Sequence, residues 1–302
     1  MAMPVGSGVL LLLTTHPGEA LILKKLFVPI FAPLLLCFVL IPQCHAWGRE
    51  GHRLTALVAQ EHLSPTAEAN VRYLLGKDTL ADVAPWADEY REDHRETAPW
   101  HFVEIPGAQD TYDRLRDCPL SEGNAASPWR DCVVDRILYF EDQLKDPAVN
   151  KKQKEFALKF LVHLIGDIHQ PFHTIATARG GNTIQVTFFC TPQCGPRSLC
   201  NLHGVWDDEL IDHQDLSEKK YVAHLDSEIL EHNWDKLPEG DPISWANASH
   251  HYAQAAFVPN NTPISSDYYD KTIKVVDQQL ALGGLRLADV LNRIFTDPPP
   301  TT

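Results

Sequence analysis

The stretch QKEFALKFLVHLIGDIHQPFH, Gln153 to His173, decides the fold. Its apolar residues recur at helical spacing as far as Ile168, and from Trp47 onward no segment is more apolar, so it predicts the central, buried helix of a helical domain. His163 and Asp167 are four residues apart on it, which puts an imidazole and a carboxylate on one face. Pro171 then stops the helix, because proline lacks the N–H that the next turn needs. His173 lies just past the stop, where the chain can turn a third ligand toward the same point. A carboxylate on so apolar a helix is costly unless it is paired or holds a cation.

Outward from this helix, most of the chain has helical start and stop signals. Ser64-Pro65 supplies a cap and a first-turn proline for Thr66 to Leu75, and Gly76 ends that helix. Ser127-Pro128 opens a helix to about Leu144, and Asp241-Pro242 another to about Phe257. Leu216 to His232 and Asp267 to Leu282 add two more, with Gly283-Gly284 before a last helix through Ile294. The exception is Asn182 to Cys190, where Thr-Ile-Gln-Val-Thr-Phe-Phe alternates and is rich in β-branched and aromatic residues, the pattern of one strand of a small hairpin. No linker or repeat divides the chain, so 47–297 reads as one all-α domain with a small β-hairpin, and 298–302 as a disordered tail.

Residues 1–46 read as a leader. Lys24 and Lys25 precede an uncharged apolar run from Leu26 to Ile41, followed by Pro42 and by Cys44-His45-Ala46, with small residues at the two positions a signal peptidase reads. The run is shorter than the roughly 20 residues that span a bilayer, and Pro29 and Pro33 interrupt it. Cleavage after Ala46 is expected, giving a secreted or periplasmic protein that meets a membrane only through an uncleaved leader. Glu19, Lys24 and Lys25 leave with the leader, so the net charge moves from −14 to −15. A basic clamp on nucleic acid is excluded, and affinity for a polyanion would have to come from local cations, of which bound metal ions are the strongest. Cys118, Cys132, Cys190, Cys194 and Cys200 remain and read as disulfides in an exported chain, with Cys118–Cys132 the local pair and one more pair among the last three. Cys190-x-x-x-Cys194 as a zinc site is the weaker alternative.

Three more stretches repeat the ligand pattern. In Asn201-Leu-His203-Gly-Val-Trp-Asp207, Asn201 is an N-cap and His203 and Asp207 share a face one turn apart. Ala84-Pro-Trp-Ala-Asp88-Glu-Tyr-Arg91 places Asp88 on a short helix, and Trp100-His101-Phe102-Val-Glu104 places His101 in an extended run between aromatics. Trp47-Gly-Arg-Glu-Gly-His52 begins at the cleavage point, where the α-amino group itself becomes available. One His/Asp pair at this spacing is usually a surface ion pair or a hydrogen-bonded core histidine; two on strongly apolar helices favour metal.

In these motifs the chain resembles the zinc-dependent single-strand nucleases, the fungal S-one and P-one enzymes and the plant bifunctional nucleases. The resemblance runs from Trp47 to Phe295, including the closing Gly-Gly-Leu-Arg-Leu-Ala-x-x-Leu-Asn run, and every ligand position of that family finds a matching residue type in order. It implies the mainly helical fold shared with zinc phospholipase C, and a site of three zinc ions. Asp88, His101, His163 and Asp167 would hold the first, with Asp167 bridging to another. His173, His203 and Asp207 would hold the second. The third would take His52, the other oxygen of Asp167, and the amine and carbonyl of Trp47. Further implied are attack of a zinc-bridging hydroxide on phosphorus, 5′-phosphate products from single-stranded DNA and RNA, and action on 3′-nucleotides, with no stable protein partner.

By the same resemblance Arg91 would lie near the phosphate, against the plainer reading of a solvated helix charge. Phe102 would stack a base and Glu104 would hydrogen-bond it, with Glu standing where the family has Asp. Asn182 would line the same pocket, although a Gly-Gly-Asn turn explains it as well. The competing readings are a zinc-dependent phospholipase C, disfavoured by the Trp-His-Phe-x-Glu and Asn-Leu-His-x-x-x-Asp runs, and a non-catalytic exported zinc-binding protein. His169 points to another helical face than Asp167, and Trp86, Trp100 and Trp206 read as core supports.

Overall fold

The computed structural model describes residues 47–120, 127–194, 198–237 and 240–300; the expected leader and its cleavage point lie outside them, as do residues 301–302 of the tail. The chain opens with α1 (Arg49–Glu61), α2 (Pro65–Leu75), α3 (Leu80–Val83) and α4 (Trp86–Asp93), then a tighter 3-10 turn over Arg95–His101. Next come α5 (Arg114–Asp117), α6 (Val133–Lys145) and α7 (Lys151–Ile168), and a second 3-10 turn over Pro171–Thr174. Short strands β1 (Val186–Phe188), β2 (Gln193–Cys194) and β3 (Ser198–Leu199) precede α8 (Leu202–Gly204), a wider π turn over Val205–Glu209, and α9 (Leu210–Asp212). The remainder is α10 (Glu218–His232), α11 (Pro242–Ala256), β4 (Thr262–Ile264) and α12 (Ser266–Ile294). The architecture is mainly helical, as expected. No helix among the described residues is long and apolar enough to cross a membrane.

The central helix is α7, buried without interruption from Phe160 to Ile168. A reciprocal capping box starts it: the Asn150 side chain accepts from the Gln153 backbone, and the Gln153 side chain accepts from the Asn150 backbone. This satisfies two backbone donors that a helix start otherwise leaves open. Two apolar clusters surround the helix. One gathers Phe140, Phe160, Leu161 and Ile165, with Phe140 and Phe160 stacked 4.9 Å apart. The other gathers Trp47, Leu54, Trp206 and Leu280. Full burial of each large side chain contributes roughly 1.5–3 kcal/mol.

Four expectations change. Helix α6 begins at Val133, not after Ser127-Pro128, because the Cys118–Cys132 disulfide and an antiparallel bridge between Leu120 and Arg130 hold the chain extended up to Cys132. His101 closes a 3-10 turn, and only at Phe102 does the chain become extended. The strand within Asn182–Cys190 is not half of the hairpin: β1 pairs in parallel with β4, and the hairpin is β2 with β3, tied by Cys194–Cys200. Cys190 is left free and exposed.

The largest change concerns Gly283-Gly284, which does not separate two helices. Helix α12 runs through both without a break. A Cβ at position 284 would lie 2.5 Å from Val58 Cβ and 2.8 Å from the Thr55 carbonyl oxygen, so the missing side chains let α12 pack directly on α1. Glycine inside a helix costs about 1 kcal/mol relative to alanine. Here the close approach offsets that cost.

Candidate metal centre

The carboxylate of Asp167, one residue before the end of α7, has no measurable exposure. Three histidines surround it, His163 from its own helix, His101 from the first 3-10 turn and His52 from α1. His163 Nε2 lies 3.3 Å from Asp167 Oδ2, His101 Nδ1 lies 3.0 Å from the same oxygen, and His52 Nε2 lies 3.4 Å from Oδ1. The His52 ring stacks on His163 with centroids 3.8 Å apart. A Cβ on Gly166 would sit 2.7 Å from His52 Nδ1, so the glycine of His-Leu-Ile-Gly-Asp is what lets α1 deliver its histidine to α7. Asp88 of α4 closes the group, with Oδ1 3.7 Å from both His101 Nδ1 and His163 Nε2.

Beside this group, His173, His203 and Asp207 bring their ligand atoms within 4.8 Å of one another. His203 Nε2 is 3.3 Å from Asp207 Oδ2. Asn201 caps the turn by accepting from the Gly204 N–H at 2.9 Å, and the π turn after it, closed from the Leu210 N–H to the Val205 carbonyl, swings Asp207 inward. Wide turns of this kind are frequent at functional sites. Trp47 is fully buried at the edge of the same region, and the next residue, Gly48, donates its N–H to the Asp207 carbonyl at 2.9 Å.

Backbone carbonyls orient the rings. His163 Nδ1–H donates to Ala84 O at 2.7 Å, His173 Nδ1–H to His101 O at 2.7 Å, and His203 Nδ1–H to Gly180 O at 2.6 Å. Each bond fixes the tautomer with the proton on Nδ1 and leaves the lone pair on Nε2, the arrangement that supports a metal ligand. His52 Nε2, Asp167 Oδ1 and His173 Nε2 are buried without hydrogen-bond partners. Orphaned polar atoms are rare in native interiors and call for an explanation. A set of nitrogen and oxygen donors with no thiolate fits hydrolytic zinc.

At His163 burial is outweighed by Asp167 and Asp88, which raise its pKa. Burial, and then the charge of His163, push His52 down to about 4. Burial also lowers His101 and His173, so these rings stay neutral, as ligation requires. Burial opposes charge on Asp167, yet His163, His101 and His52 hold it well below the usual carboxylate range. Burial and the neighbouring Asp208 push Asp207 well above it.

Residues 47–296 match the family profile described as S1/P1 Nuclease. The chain belongs to the S1/P1 nuclease family. It is therefore a hydrolase of phosphodiester bonds. It is 32% identical to Endonuclease 4 of Arabidopsis thaliana over 89% of this chain and 96% of that protein. It is likewise 32% identical to Nuclease S1 of Aspergillus oryzae, over 84% of this chain and 93% of the relative. Nuclease P1 of Penicillium citrinum is 31% identical over 82% and 97%.

In this S1/P1 nuclease, Arg91, Phe102, Glu104 and Asn182 all line one cavity of about 200 Å³ whose wall includes His173 and His203. Arg91 is not a solvated helix charge: it is 6% exposed, and its guanidinium lies 3.0 Å from Asp88. Asn182 lines the cavity and also serves the turn, donating from Nδ2 to Arg179 O at 2.8 Å. His169 faces away, bonded to Ile165 O and Arg286. The tryptophans act as core supports, with Trp206 Nε1–H donating to Tyr268 at 2.9 Å and Trp100 Nε1–H to Asp131 at 3.0 Å. Sequence reasoning missed Gln170, fully buried, whose amide donates to Asp207 and accepts from the Phe172 N–H. It also missed Arg179, which lines the cavity.

Proposed function

We propose that this chain is an exported, zinc-dependent endonuclease that hydrolyses single-stranded DNA and RNA to 5′-phosphate products and also removes phosphate from 3′-nucleotides. The observation that carries the reading is the convergence of His52, His101, His163 and Asp88 on the single buried carboxylate of Asp167, with His173, His203 and Asp207 alongside. Zinc ions bound there would supply an activated water and stabilise negative charge on the departing oxygen.

The protein's own part is placement. Asp167 offers one oxygen toward His101 and His163 and the other toward His52, so a single carboxylate can serve two cations that would otherwise repel each other. His163, His101 and Asp88 would hold one ion with it, His173, His203 and Asp207 would hold a second, and Trp47 with His52 a third. Arg91, beside Asp88 and facing the cavity, neutralises phosphate charge. Phe102, Glu104 and Asn182 hold the base. With a net charge of −14, the chain as a whole does not attract a polyanion, so local cations at the site must do so. The two disulfides fit an oxidising destination, in keeping with cleavage of the leader after Ala46.

The test is zinc content together with products. Mature wild-type protein should carry three zinc ions and yield 5′-phosphates from a single-stranded oligonucleotide and inorganic phosphate from a 3′-mononucleotide. Asp167→Ala should lose most of the zinc and the activity together. Full zinc occupancy and wild-type turnover in that variant would sink the assignment.

A further inference from the structure

Arg179 stands at the edge of the Phe102 cavity, exposed and with no ion-pair partner among the described residues. The backbone that carries it is unusual: Ala178, Arg179, Gly180 and Gly181 have φ of 52°, 54°, 62° and 80°. Residues other than glycine rarely adopt this region, and a run of them persists only where the surroundings impose it. Here they do. The Arg179 N–H donates to Ala176 O at 3.0 Å, Asn182 donates to Arg179 O from both its backbone and its side chain, and Gly180 O accepts from His203. The backbone that bears Arg179 is thus registered against a histidine of the candidate metal centre, and its side chain lines the cavity.

Glu104 lines the same cavity, is also exposed, and likewise forms no ion pair among the described residues. The cavity therefore offers a carboxylate with two acceptors and a guanidinium with a fork of donors, and Phe102 and Phe172 also line it. Among the four bases, guanine alone carries two adjacent donors, N1–H and the N2 amino group, and two adjacent acceptors, O6 and N7. Adenine meets a carboxylate with one donor and a repelling lone pair at N1. Cytosine and uracil lack the paired O6/N7 acceptors that a guanidinium grips with two bonds.

We propose that Arg179 is a specificity-determining residue and that, with Glu104, it makes this cavity select guanine. The proposal rests on the nuclease reading given above. It assigns Arg179 to the base and not to the phosphate, which nucleosides can decide because they carry no phosphate.

The experiment is calorimetric binding of guanosine, adenosine, cytidine and uridine to the mature protein, with cleavage mapping on a single-stranded oligothymidylate bearing one guanine or one adenine. Guanosine should bind most tightly, and cleavage should concentrate at the guanine. Arg179→Ala should shrink the lead of guanosine over adenosine by about 5- to 150-fold, the worth of one two-bond contact to a base. Arg179→Lys should restore little, because an ammonium cannot fork, and it carries the test if the alanine variant does not fold. Glu104→Gln should move the preference toward adenosine, since an amide offers one donor and one acceptor. Equal binding of the four nucleosides by wild type overturns the proposal. So does an Arg179→Ala variant that keeps the guanosine lead or loses all four nucleosides alike. Failure to cleave any single strand would instead overturn the nuclease reading, and nucleoside binding would still decide this one.

Discussion

Gln170 shows how much of a metal centre lies outside its ligands. Its amide donates to Asp207 Oδ1, leaving Oδ2 to face His203, and the same side chain accepts from the Phe172 N–H and so shapes the turn that carries His173. Residues that orient ligands typically cost 10- to 100-fold in metal affinity or activity when removed, so Gln170→Ala should lower zinc affinity or kcat/KM by about that factor. Titration of zinc into the stripped variant, beside steady-state kinetics, measures it. The first layer of the site was legible because histidine and aspartate four apart on an apolar helix have few cheap explanations, and because His52, His101 and His173 sit in recognisable runs. Gln170 was not, since a glutamine before a proline carries no pattern. Nor were the carbonyls of Ala84, His101 and Gly180, since any residue supplies a carbonyl.

Among the elements, legibility followed the range of the interaction. The starts of α2 and α11 could be read because Ser64 and Asp241 bond to backbone N–H groups three residues on. The partner of β1 could not, because β4 lies far along the chain and pairs in parallel. Gly283-Gly284 was misread because a glycine that ends a helix and one that admits a neighbouring helix look alike in a sequence. The structure separates the two by what would collide. Gly284→Ala should therefore destabilise the fold by about 1–3 kcal/mol, the usual cost of forcing extra atoms into a packed interface, and not stabilise it as a glycine-to-alanine change in an open helix does. A denaturant melt of the variant against wild type gives the sign directly. A gain in stability would mean that α1 and α12 are less tightly apposed than the 2.5 Å approach to Val58 implies.

At the scale of the whole molecule, the proposed cleavage after Ala46 would tie export to chemistry through one bond. Trp47 is buried where the candidate centre begins, and an amide nitrogen is a poor ligand, whereas a free α-amine with a pKa of about 8 yields its proton to a metal at modest cost. Protein carrying any residue before Trp47 should bind the third zinc weakly and lose at least about tenfold in nuclease activity, and trimming to Trp47 should restore both. Three zinc ions and full turnover in an extended form verified by intact mass would refute this. The opposite end of the chain sets a further condition. Helix α1, which bears His52, rests on α12, which is synthesised long after it, and until α12 arrives the face holding Thr55 and Val58 lacks that cover. A chain ending before Ser266 should bind zinc poorly and cut nothing, which a truncated form assayed for zinc and turnover would show. A partly synthesised copy is then inactive, because its first helix still lacks the neighbour it is to rest on.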